Sequence, residues 1–160
     1  MMNDQFPREA SNFQPCVAER EQPPKSNPAR LIASMLCEDT LTDVEGNLTI
    51  YRVFRRVMAG QFPAMMRRLD VVTTWLGTGV VQQRVVILTP DKNEILYDCT
   101  GSVNLDGEQQ VPFVNRFQWL VWPEPGVYWL RVFAVQQPML EDIPLRVAGP
   151  ADVDQTGVSS

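Results

Sequence analysis

From residue 31 to residue 147 the chain is a succession of short apolar runs, each halted by turn chemistry before a helix could establish itself. "RLIASMLCE" carries apolar residues on both parities. "GNLTIYRVF" follows a Gly46-Asn47 turn signal and sets Leu48, Ile50 and Phe54 against Tyr51 and Val53. "LDVVTTWL" is rich in β-branched residues, and "VVQQRVVILTP" stops at Pro90, where "PDKN" turns the chain into "EILYDCT". Asp106-Gly107 makes the next turn. "FVNRFQWLVW" places Phe113, Phe117, Trp119 and Val121 on the parity expected to face a core, and it breaks at "PEPG". "GVYWLRVFAV" and "MLEDIPLRV" close the series. "RVMAGQFPAMMRRL" holds at most one helical turn, because Gly60 and Pro63 interrupt it. Eight strands at roughly ten-residue spacing predict an all-β domain, an antiparallel two-sheet β-sandwich (Ig/C2-like) over 31–147. A closed barrel is the alternative, since periodicity alone does not separate the two.

Within this pattern Gly126 to Phe133 poses a specific problem. Tyr128, Leu130 and Val132 share one face of a strand and require a core. Trp129, Arg131 and Phe133 then point the other way. A loop or tail of the same chain, a partner protein or second copy, or a bulge that breaks the alternation would each account for two outward aromatics.

Composition narrows the functions available. The net charge is −5, the only lysines are Lys25 and Lys92, and the arginines come as short pairs. Phosphate backbones are met by clustered cations, so nucleic-acid binding is not expected. The chain has no histidine, which removes Ser-His-Asp and Cys-His catalysis and leaves any zinc site to cysteine and carboxylate. Cys16, Cys37 and Cys99 show no CxxC spacing and read as reduced thiols of a cytoplasmic protein. No secretory signal and no long unbroken apolar segment is present, so no membrane role is expected. Residues 1–30 hold five prolines and 148–160 are small, polar and acidic; both are expected to be disordered tails.

Several groups invite a chemical reading. Glu38, Asp39, Asp43 and Glu45 form the densest acidic stretch, a calcium candidate whose spacing fits no EF-hand. Cys37 and Cys99 each lie beside carboxylates, which disfavour the thiolate, so packing roles are expected; a Cys37–Cys99 disulfide requires their strands to pair. Gly77 and Gly79 lack the third glycine and the following helix of a phosphate cradle. Trp75, Trp119, Trp122 and Trp129 are candidates for a sugar-stacking platform, against which core packing is the simpler reading.

Three segments together resemble a family of small, uncharacterised bacterial all-β proteins, a domain of unknown function. They are "SMLCEDTLTDVEGNLTIYRVF", with its Leu-Cys-Glu-Asp strand end, "FPAMMRRLDVVTTWL", and "PGVYWLRVFAVQQPMLEDIPLRV", which runs from Gly-x-Tyr-Trp to Pro-Leu-Arg-Val. The resemblance implies the fold and no activity. In that family a tight Asn-Gly or Asp-Gly hairpin often precedes the final strand; "AVQQPMLED" lacks it, which leaves the last register open. The expectation is therefore a non-catalytic, cofactor-free protein-interaction or structural module that binds a partner or its own copy. Trp129, Phe133, Arg131, Tyr51 and Trp122 would supply the interface, since aromatics with an interspersed arginine are enriched at interface centres. The alternative is a module for calcium or carbohydrate.

Overall fold

Alternating apolar residues, β-branched enrichment and the turn residues between them build nine strands in the computed structural model, which describes residues 28–134 and 137–150. They are β1 (Arg30–Thr42), β2 (Leu48–Val53), β3 (Arg56–Met58), β4 (Ala64–Leu76), β5 (Thr78–Leu88), β6 (Ile95–Asp106), β7 (Val111–Trp122), β8 (Gly126–Ala134) and β9 (Gln137–Ala148). Residues 1–27 and 151–160, most of the two expected tails, lie outside the described residues. No helix among the described residues is long and apolar enough to cross a membrane.

The strands form two sheets, in the orders β2-β1-β4-β7 and β3-β9-β8-β5-β6. Every pairing is antiparallel except β3 with β9. Nine strands replace the expected eight. β3 and the opening of β4 occupy "RVMAGQFPAMMRRL", where at most a helical turn was expected; the edge of β9 gives Arg56–Met58 a ladder to join that no local signal announces. The last hairpin pairs Gly126 with Val147 and shifts register between Val132 and Ala134.

The main core is shared by both sheets. Leu69, Val71, Phe117, Leu120 and Trp122 come from the first, and Ile87, Tyr128, Leu130, Val132 and Leu145 from the second. Each such side chain contributes roughly 1.5–3 kcal/mol by leaving water. A smaller cluster of Trp75, Val81, Val103, Leu105 and Ala134 sits apart from it. A buried polar chain ties the sheets together. Trp75 Nε1–H (2.5 Å) and Thr73 Oγ1–H (2.7 Å) donate to Gln83 Oε1, Gln83 Nε2–H donates to Asn115 Oδ1, and Asn115 Nδ2–H reaches Cys99 Sγ.

The four-stranded sheet is kinked across its width. On β4, Ala64 and Met66 face the core and then Leu69 and Val71 do; on β7, Phe117 does and then Leu120 and Trp122. The parity changes on both strands at one place, so the partners Met66–Leu120 and Leu69–Phe117 stay in one register and only Arg67 and Trp119 drop out of the ladder. Trp119 takes φ 57° there. Between β1 and β2 the ladder likewise omits Glu38 and Arg52, and Arg52 takes φ 51°. Bulky residues avoid the left-handed region, so both kinks are strained backbone.

Candidate functional site

Where the two kinks meet the crossing from β2 to β3, the surface opens into a groove of about 860 Å³. β1 contributes Glu38 and Asp39, β2 and the residue after it Arg52–Phe54, β3 all of Arg56–Met58, β4 Met66–Arg68, and β7 Gln118 and Trp119. Phe54, Val57 and Met66 are half-buried against the main core. Val53 and Met58 are exposed, and Trp119 is 62 % exposed. The Phe54 N–H donates to Leu36 O (3.1 Å), which pins the crossing to β1.

Charge in this groove is uneven. Arg52 Nη1 meets Glu38 Oε2 at 2.9 Å, and that carboxylate holds the guanidinium above its usual pKa. Arg68 Nη2 lies 2.6 Å from Asp39 Oδ1 and also reaches Asp70 Oδ2 at 3.2 Å. Asp70 is fully buried; Arg116 (3.0 Å) and the Thr40 hydroxyl (2.7 Å) complete its shell, so one carboxylate fastens β1, β4 and β7 beside the kink. The guanidinium groups of Arg56 and Arg67 are exposed and make no hydrogen bond or ion pair among the described residues.

The residues expected to form an interface are distributed differently. Trp129 and Phe133 do face outward on β8, but the chain covers them itself. Lys92 Nζ stands 3.7 Å from the centre of the Trp129 ring, and the Arg84 guanidinium 6.0 Å from that of Phe133. Lys92 is the third non-glycine residue at positive φ (62°), which accompanies its position over the indole. Arg131 pairs with Asp142 (2.7 Å), as does Lys92 (2.9 Å); the Arg131 hydrogen bond, opposed by partial burial and joined by Lys92, lowers the Asp142 carboxyl to about 2. Trp122 leaves the set altogether, because it is fully buried and packs on Tyr128 with ring centres 4.8 Å apart. Tyr51 is exposed on β2, remote in the topology from β8.

The acidic stretch does not converge. Glu38 and Asp39 are spent on arginines, while Asp43 accepts the backbone N–H groups of Glu45 and Asn47 and the Asn47 side-chain amide. Among the described residues no group of three or more ligating side chains is placed to hold a metal ion. Cys37 and Cys99 lie in different sheets as free thiols. Burial first, then Asp70 and Asp39, pushes the Cys37 thiol up to about 11. Of the four tryptophans, Trp75 and Trp122 are buried and Trp129 is capped, so the four share no exposed stacking face. Trp119, assigned to the core on its parity, is the exposed one: the kink turns it outward. Its only sequence signal is the run Trp119-Leu120-Val121-Trp122, apolar on both parities.

The sequence model of a family of unknown function (DUF6941) matches residues 32–148, and the chain belongs to that family. No curated protein matches it.

Proposed function

We propose that this member of a family of unknown function is a non-catalytic binding module of the Ig-like β-sandwich type, which takes up part of another protein chain in the groove beside Trp119. The strand orders support the fold reading. β1, β4 and β7 correspond to strands A, B and E of an Ig-like sheet, β9, β8, β5 and β6 to G, F, C and C′, and β3 to an A′ strand parallel to G. The Tyr128 hydroxyl donates to Glu124 O (2.8 Å), as in the tyrosine corner at the start of strand F. β2 is an addition at the A edge.

Trp119 carries the functional reading. A left-handed backbone costs of order 1–3 kcal/mol, and a side chain buried in the core would offset it. Trp119 is instead mostly in water, so folding alone gives no reason for its position. Exposed Met58 and Val53 share the groove with it, and aromatic, methionine and arginine side chains are the types enriched at binding centres. A non-catalytic role is supported by the absence of histidine and by a Cys37 thiol too basic to ionise at neutral pH.

The test is photo-crosslinking in the native cell with p-benzoylphenylalanine at position 119, and separately at 129. A discrete adduct with another protein from 119 and none from 129 is expected. Adducts from 129 alone would return the interface to β8, and an adduct only between copies of the chain would make the module self-associating.

A further inference from the structure

Resting on that reading, we infer that the occupant of the groove is an extended, carboxylate-rich peptide segment. Four arginines against two carboxylates make the lining net positive by two, in a chain whose net charge is −5. Glu38 and Asp39 are already held by Arg52 and Arg68. Arg56 and Arg67 are left as cations, one on each of two strands that face the same space. Carboxylates accept paired N–H donors from guanidinium groups, and a charge-assisted bond of this kind is stronger than a neutral one.

The groove also bears on the shape of the ligand. β2 and β3 are edge strands, one of each sheet, and both border it. Edge strands present unpaired backbone groups to which an extended peptide can bond. In a strand, successive side chains alternate in direction. One row of an incoming peptide then meets Phe54, Val57 and Met66, while the other reaches Arg56 and Arg67. A single-stranded nucleic acid would also find arginine and an aromatic ring here, but its evenly spaced phosphates would meet Glu38 and Asp39 and the net negative charge of the whole chain.

The probe is a pool of ten-residue peptides with Asp or Glu at alternate positions and Val, Leu or Phe between, titrated into the full chain. The readout is the indole N–H resonance of Trp119, identified by its loss in Trp119→Phe. Control pools carry Asn/Gln or Lys in place of the acids, and a dT12 oligonucleotide forms a separate arm. The acidic pool should shift the resonance, bind at least about tenfold more weakly on raising salt from about 50 to about 300 mM, and lose at least about tenfold in Arg56→Glu/Arg67→Glu. Arg56→Gln/Arg67→Gln, which adds no new charge, should lose affinity in the same direction. Equal binding of the Asn/Gln pool, preference for the Lys pool or dT12, or no shift with the acidic pool overturns the inference. An adduct from position 119 alongside any of these results would leave the protein-binding reading standing and remove only its acidic occupant.

Discussion

Asp142 shows how a single residue ties the outer face of the five-stranded sheet together. It accepts from Arg131 of the neighbouring strand and from Lys92 of the β5–β6 turn, and the same Lys92 caps Trp129. With its carboxyl lowered to about 2, against about 3.9 for an unperturbed aspartate, the folded state binds its proton less readily than the unfolded one. The stabilisation is therefore complete above about pH 4 and is lost as the pH falls toward about 2, an effect of up to about 2 kcal/mol. Denaturant midpoints followed across that window should fall in the wild type. In Asp142→Asn they should start lower at neutral pH and change less. A wild type and variant with parallel pH profiles would mean that the pair contributes nothing to folding. The aromatics that face outward on β8 were legible from alternation. Their covering was not, since Arg84 and Lys92 reach them from β5 and a turn far off in sequence.

At the scale of elements, the paired kink in β4 and β7 governs what the four-stranded sheet exposes. Because both strands change parity together, the register survives, and the cost is confined to Arg67 and Trp119, which leave the ladder. Glycine accepts φ 57° freely, whereas a β-branched residue does not. Trp119→Gly should thus stay within about 1 kcal/mol of the wild type or exceed it, while Trp119→Val should lose about 1–2 kcal/mol; urea titration ranks the three. The same glycine variant should bind the acidic peptides at least about tenfold more weakly by calorimetry, separating stability from binding. A Val variant as stable as the Gly one would refute the strain. Eight of the strands were readable from apolar runs and their turns, and Gly46 and Gly107 take the positive φ that suits their turn signals. β3 was not, because three residues acquire a strand only by lying beside β9. Trp119 was misplaced for a related reason. Strict alternation assigns it inward, and only the opposing kink in β4 reverses it.

Across the whole molecule, two sheets are joined by apolar contact, by a polar chain through the core and by the Tyr97 hydroxyl of β6, which accepts from the Val121 N–H of β7 (2.6 Å). Gln83 is the centre of the polar chain, accepting from Trp75 and Thr73 and donating to Asn115. Gln83→Leu fills similar space but strands the Asn115 Oδ1 acceptor and leaves Trp75 Nε1–H only its longer bond to Thr73 Oγ1 (3.2 Å), which costs about 1–3 kcal/mol. The urea midpoint should drop with the m-value unchanged, since the surface exposed on unfolding is nearly the same. An unaltered midpoint would show that the chain is not an energetic link between the sheets. The sequence by itself determined an all-β body, most of its turns and its two β8 faces, because these depend on neighbours a few residues away. Tertiary structure alone decided that Trp122 is buried, that Trp119 is not, that the acids of 38–45 are divided between arginines and a turn, and that two arginines from β3 and β4, with no side-chain partner among the described residues, share one groove. Each of those outcomes depends on which strands lie side by side, and a strand's own residues carry no record of its partner.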